Sequence, residues 1–326
     1  MRYQQASEET AFMSKPQLYG GFGGFRDRGR RFLAASQRQR MDLVSLFQCL
    51  ILPWALFCFI YAVLSFQLHY VRPMISYVLC GLGFLPVLIS GFLALHTVWL
   101  KLRPDKQIHE PRWFIFFFVT LLVAWILGVT LGRLNFRINM DPYYNYMNLN
   151  QYRGVSPATM RGQQLMDAGR VYFANATGLD LRRSMGFKNL DVYCVAPISM
   201  KGAASGTMLP LSSYDFWAVG LGCCSGNTAD FHCGEYQNPN ARGGLRVLQD
   251  SDRQFYRLAV QQAESAYNIK ATHPLFFYWT QEPQNEMETF RDEGYKFYLI
   301  GMIVHFGWQL LSVCLAAAGF SKMGQP

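Results

Sequence analysis

Four stretches of this chain stay apolar for the length of a bilayer. Leu43–Phe66, Met74–Leu100, Trp113–Leu131 and Phe297–Phe320 carry no Asp, Glu, Lys or Arg inside. The hydrocarbon core of a membrane is about 30 Å thick and a helix rises about 1.5 Å per residue, so about 20 such residues suffice to cross it. A buried helix of a water-soluble protein seldom runs that far without a charge. The sequence therefore predicts transmembrane helices at 43–66, 74–100, 113–131 and 297–320. Around them fall a disordered basic tail (1–42), two short loops (67–73 and 101–112), a polar segment at 132–296 and a stub at 321–326. The polar segment is long enough to fold around its own core. The fold class expected is a membrane protein of four transmembrane α-helices, three before and one after a disulfide-linked α+β domain.

Charge sets the expected orientation. The tail holds eight Lys/Arg against four Asp/Glu, loop 101–112 four against two, and the stub adds Lys322. With the N-terminus inside, these three lie on one side and total +7, against +2 for Arg72 and 132–296 together. Positive short flanking segments stay cytosolic, so both termini are expected in the cytosol and 132–296 outside it, in the plasma membrane or endomembrane system. The first span is expected to serve as an uncleaved signal, since no apolar stretch precedes Leu43. The tail is read as a disordered leader, because its block Tyr19–Phe25 is dense in glycine. A lipid-binding role for its arginines is the alternative.

Cysteine use agrees with an oxidising side. Cys49, Cys58, Cys80 and Cys314 fall in spans, and Cys194, Cys223, Cys224 and Cys233 all fall in the polar segment. Two disulfides are expected there. Adjacent cysteines rarely bridge each other, which leaves Cys194 paired with one of Cys223 and Cys224, and Cys233 with the other. Asn175-Ala176-Thr177 is an acceptor pattern for N-glycosylation.

Polar groups are scarce in the spans. His305 and Gln309 lie one turn apart on one face, and an interhelical hydrogen bond with Gln48 as partner is the expected role. Proton or ion handling is the alternative. His96 sits near a span end, and Pro53 and Pro86 are expected kinks. Gly128 and Gly132 form a GxxxG pair that permits close packing within the bundle or between copies.

In the polar segment the pattern predicts a helix from Ser156-Pro157 to Gly169. Strands are predicted at Val171–Phe173, Val192–Ile198, Tyr214–Leu221 and Leu275–Thr280, and a helix opening at Ser251-Asp252. Loop 222–244 reads as stapled rather than cored. A zinc site from Cys223, Cys224, His232 and Cys233 lacks the usual C-x2–4-C spacing, and no C-x-x-C redox pair occurs. No nucleophile-elbow, metalloprotease, P-loop or dinucleotide signature is present. Asp141, Asp167, Asp180 and Asp191 are scattered near Arg or Lys and read as solvated pairs. No cofactor, metal or nucleic acid is expected.

The strings GLDLRRSMGFKNLDVYCVAPI (178–198), DFWAVGLGCC (215–224), FHCGEYQNPNARGGLR (231–246) and RLAVQQAE (257–264) resemble a block of uncharacterised multi-pass membrane proteins of dinoflagellate-type algae. The resemblance covers about residues 140–280. It implies a membrane protein with a disulfide-linked exposed domain, and it carries no activity.

The function expected is that of a non-catalytic membrane protein whose outer domain binds or scaffolds a protein, a glycan or another copy. An accessory or pore subunit of a channel or transporter is the alternative. A membrane enzyme with a site near the Cys/His loop is a third.

Overall fold

A computed structural model describes residues 23–101, 112–202, 207–226 and 228–323. Four helices in it are long and apolar enough to cross a membrane, over Val44–Ser65, Pro73–Leu100, Arg112–Met147 and Pro283–Phe320. They belong to α1 (Gly23–Ser65), α3 (Pro73–Lys101), α4 (Arg112–Asn135) with its continuation, and α7 (Pro283–Met323). A short α2 (Gln67–Val71) joins α1 to α3. Of the expected tail, residues 1–22 lie outside the described residues, and 23–42 are the first turns of α1. Good helix formers such as Ala34, Ala35, Gln37 and Arg38 follow the glycines there. Most of loop 101–112 and the end of the stub also lie outside the described residues.

The bundle closes on its glycines. A Cβ on Gly128 would stand 3.1 Å from Ile60 Cβ and 3.3 Å from the Phe57 carbonyl oxygen. One on Gly132 would stand 2.9 Å from Leu64 Cβ. The Ser65 hydroxyl adds a bond to the Gly132 carbonyl at 3.3 Å. The GxxxG pair is therefore taken up by α1 of the same chain. Aromatic rings gather at the domain end of the bundle: Tyr61 and Phe66 on Tyr298, Phe66 on Tyr295, and Tyr70 on Tyr144. At the opposite end Trp113 meets Phe320. Between Arg112 and Arg133, α4 climbs about 30 Å, the thickness of the hydrocarbon.

Neither α4 nor α7 stops at that boundary. From α4 the chain passes through one π turn (Phe136–Met140) into α5 (Asp141–Met147). α7 begins at Pro283, well before its apolar run. The two meet where Gly294 has no side chain to crowd Met140. Asn135 Nδ2 donates to the Gly294 carbonyl at 3.0 Å, and Asn139 Nδ2 to Asn135 Oδ1 at 2.8 Å.

Above this contact stands an α+β region. Its strands are β1 (Asn150–Val155), β2 (Ala168–Phe173), β3 (Thr177–Leu179), β4 (Met185–Asn189), β5 (Asp191–Met200), β6 (Phe216–Leu221), β7 (Gly243–Arg246) and β8 (Leu275–Thr280). They form a mixed sheet in the order β1-β2-β7-β8-β6-β5-β3, with β4 on β5. Alternation along β5, β6 and β8 feeds two cores. Val195, Trp217, Val219 and Phe276 face α6 (Asp250–Tyr267), packing on its Tyr256, Ala259, Val260 and Ala263. Cys194, Ala196, Phe216, Ala218 and Phe277 face the other way, under Leu165, Phe231, Cys233 and Ala241. Segment 222–244 is thus cored as well as stapled. The helix expected at 156–169 is absent. Turns and one 3-10 segment (Gly162–Leu165) take its place, and Ala168 already opens β2. The Gly162 N–H is committed to the Asp215 carboxylate, so it cannot serve a helix.

Gly132→Leu is expected to force α1 from α4 and lower the thermal midpoint in detergent by the equivalent of about 1–3 kcal/mol or more. Gly307→Leu is expected to leave it unchanged, since a Cβ there meets nothing within 4 Å.

Candidate functional site

Cys194 lies in the middle of β5, and its cross-strand partners are Gly186 on β4 and Gly220 on β6. Three residues in register share a face, so the sulfur sits between two positions without side chains. A Cβ on Gly186 would stand 2.9 Å from Cys224 Sγ, and one on Gly220 would stand 2.6 Å from Cys223 Sγ and 2.7 Å from Cys233 Sγ. Cys194 bonds Cys224 and Cys223 bonds Cys233 in the recess so formed. The Sγ atoms of Cys194, Cys223 and Cys233 lie within 4.8 Å of one another. All four sulfurs are bonded, so no thiolate is left for a nucleophile or a metal. His232 is exposed, and its Nδ1 lies 2.9 Å from the Asp230 carbonyl oxygen.

The carboxylates near this face act as clamps. Asp215 is 2 % exposed. Its Oδ1 accepts from Ser213 Oγ at 2.6 Å, the Thr272 N–H at 2.9 Å and the His273 N–H at 3.2 Å, and its Oδ2 accepts from the Gly162 N–H at 2.9 Å. Burial works against its charge, but these donors outweigh burial and hold its pKa below the usual carboxylate value. Glu235 accepts from Asn238, from Thr280 Oγ1 at 3.0 Å and from the Gln281 N–H at 3.3 Å. The bond from Asn238 is foremost in lowering its pKa. Asp230 holds the Ser225 N–H with both oxygens at 3.0 Å. Of the scattered acids, Asp180 pairs with Arg183 at 2.8 Å, and Asp167 accepts from Tyr152 Oη at 2.9 Å. No two carboxylates face each other as an acid–base pair among these.

Asn175 stands exposed on the turn between β2 and β3, where Arg242 Nη1 donates to its Oδ1 at 2.9 Å. In the bundle, His305 and Gln309 are buried. The His305 ring stacks on Phe57 with centroids 4.1 Å apart. Gln309 does not meet Gln48, which is exposed on the outside of α1. It donates instead to the Cys49 carbonyl at 2.6 Å. Four residues after Cys49 comes Pro53, which has no N–H to give that carbonyl. Gln309 thus supplies the hydrogen bond that the proline removes, the remedy open to a backbone group in lipid. His96 is exposed.

Sequence reasoning missed Asp215, the Asn135–Asn139–Gly294 contact and the pairing of Gln309 with the proline gap. Only the last had a readable signal, a proline and a glutamine inside two spans. Compared with protein families, curated proteins and solved structures, the chain matches none.

Asp215→Asn places an amide against the Gly162 N–H and is expected to destabilise the region by about 2 kcal/mol. Because the folded pKa is depressed, this contribution is full above the unfolded value of about 3.9 and fades as pH falls through the folded one. Acid unfolding of parent and variant, followed by near-UV circular dichroism, should therefore converge below that range.

Gln309→Leu is expected to cost about 1 kcal/mol beside Pro53 and close to nothing in a Pro53→Ala background, where the backbone N–H restored by the alanine serves the Cys49 carbonyl. A double-mutant cycle of thermal midpoints reads the coupling.

Proposed function

We propose that this is a non-catalytic multi-pass membrane protein that holds a binding or scaffolding domain outside the cytosol, with both termini in the cytosol. The observation that carries the reading is the unbroken passage of α4–α5 and α7 from the apolar layer into the sheet, locked by Asn135 on Gly294. A domain mounted that way keeps one height and orientation, which lowers the ordering cost of meeting a partner. The bundle beneath supports the same reading. Gln309 is tied to a backbone carbonyl and the His305 ring is stacked on Phe57, which supports packing as the role of that face. The excess of Lys/Arg in the tail and in loop 101–112 supports the orientation, and the two disulfides fit an oxidising side. The partner class proposed is a protein or a glycan, and Asn175, exposed on its turn, is proposed to carry a glycan of its own.

The test uses sealed vesicles with the cytosolic face outward. Added protease is expected to remove the tail and spare residues 148–282. Asn175→Gln is expected to abolish a glycosidase-sensitive mass shift. Reconstituted parent and His305→Leu proteins are both expected to show no ion flux above empty liposomes. Cleavage of the domain from the cytosolic face overturns the topology. A flux lost in a folded His305→Leu protein overturns the scaffold reading in favour of transport.

A further inference from the structure

Arg246 ends β7 in the middle of the α+β region and is only 9 % exposed. Its Nε and Nη1 are buried and have no hydrogen-bond partner. Among the described residues no carboxylate lies within ion-pair distance of it; the nearby Arg253 holds Asp250 for itself. Its guanidinium lies 5.7 Å from the centroid of the Phe277 ring. Its backbone is fixed by Tyr146 Oη, which donates to the Arg246 carbonyl at 2.7 Å. Burial, and then the like charge of Arg253, pulls its pKa down to about 10, so the cation persists at neutral pH.

Burying a cation with unmet donors is unfavourable, and one ring face offsets only part of that. A methionine would fill the same space without the penalty. The arrangement makes sense when an anion completes it.

We propose that Arg246 is the anchor of a binding site for a small soluble oxyanion, a carboxylate or a phosphate, in the α+β region. Arg246 keeps 9 % of its surface open; the oxyanion approaches there, the guanidinium turns toward it so that the unpartnered N–H groups donate to it, and its charge relieves the repulsion between Arg246 and Arg253. A guanidinium suits this ligand class because its donors match the spacing of carboxylate and phosphate oxygens. A lipid headgroup does not fit. Tyr146, which holds the Arg246 backbone, lies thirteen residues of near-continuous helix beyond Arg133 at the edge of the apolar layer, about 20 Å above it. This inference stands apart from the scaffold reading: a domain that binds protein or glycan can hold an anion or not.

The test uses the full chain in nanodiscs of zwitterionic lipid. Inorganic phosphate and acetate are titrated against chloride at constant ionic strength, with calorimetric binding and the thermal midpoint of the domain as readouts. At least one of the two anions is expected to bind saturably at about one per chain and to raise the midpoint. Arg246→Met is expected to fold, with an unliganded midpoint equal to or above the parent's, and to lose the anion-dependent shift. Arg246→Lys is expected to weaken binding tenfold or more, and Arg253→Gln to retain it. Absence of saturable binding by the parent, or an equal anion shift in parent and Arg246→Met, overturns the proposal. A shift caused by anionic lipid in the nanodisc, with none from the free anions, overturns the assignment to a soluble ligand. If Arg246→Met fails to fold, the binding isotherms of the parent and of Arg246→Lys decide.

Discussion

The contact between Asn135 and Gly294 joins the apolar bundle to the α+β region. It lies near the ends of the long apolar runs of α4 and α7. A side chain larger than hydrogen at Gly294 would crowd the Met140 side chain. With hydrogen there, α4 and α7 come close enough for Asn135 to reach the Gly294 carbonyl and for Asn139 to complete the chain of bonds. One π turn, Phe136–Met140, lies beside it. The extra residue in that turn rotates the helix beyond it, and α5 then delivers Tyr146 to Leu245 and Met287 under the sheet. Tyr146 in turn bonds the Arg246 carbonyl. A short polar ladder at the end of the apolar bundle thus orients a sheet whose centre lies well beyond it.

The sheet solves a second problem with the same device. Its face away from α6 has no helix to cover it, so segment 222–244 must do so. A loop covers a sheet poorly unless it is pinned, because its backbone groups need partners and its apolar residues are few. Two bridges and the carboxylates of Asp230 and Glu235 pin this one, and Gly186 and Gly220 clear room for the sulfurs. Closing short loops with disulfides contributes about 2–4 kcal/mol each. That is comparable with burying a large side chain, and the segment has few of those beyond Phe231. The glycines are therefore part of the disulfide architecture, and their place in the register is as constrained as that of the cysteines.

How much of this was legible depended on whether the signal was local. The spans were, because lipid demands a long uncharged run whatever the neighbours. The strand Leu275–Thr280 was, because six apolar and β-branched or aromatic residues stand between turn residues. Val192–Ile198 and the helix after Gln249 were placed for similar reasons. The segment 156–169 misled because Ser156-Pro157 is a sound helix start in isolation. The Gly162 N–H within it was claimed by Asp215, more than 50 residues away. β7 was invisible because Gly243-Gly244 reads as a loop; Gly244 is needed where the Phe277 side chain comes within about 3 Å of its missing Cβ. Gln48 fits as a partner for Gln309 by depth alone. Its direction around α1, one residue from Cys49 and about 100° away, decided otherwise. Arg246 gave no sign at all, since its isolation follows from burial and not from neighbouring sequence.

The proline in α1 explains why polar residues appear in so apolar a bundle. Pro53 lies within the helix that packs on both α4 and α7, and it leaves the Cys49 carbonyl without its usual donor. In water a solvent molecule would serve it. In hydrocarbon the carbonyl would stay unmet at a cost on the order of several kcal/mol unless another helix contributed a donor. Gln309 is that donor, and its hydrogen bond accounts for a glutamine opposite Pro53. His305 one turn earlier rests its ring flat on Phe57, which lies one turn after Pro53 on α1. Trp54 extends the seam by donating to the Met302 carbonyl at 3.1 Å. The α1–α7 interface is thus a repair of one backbone defect, widened into a packed seam. A proton path would need a chain of exchangeable groups leading away from His305. The Phe57 ring covers one face of its imidazole, and its buried Nδ1 makes no hydrogen bond.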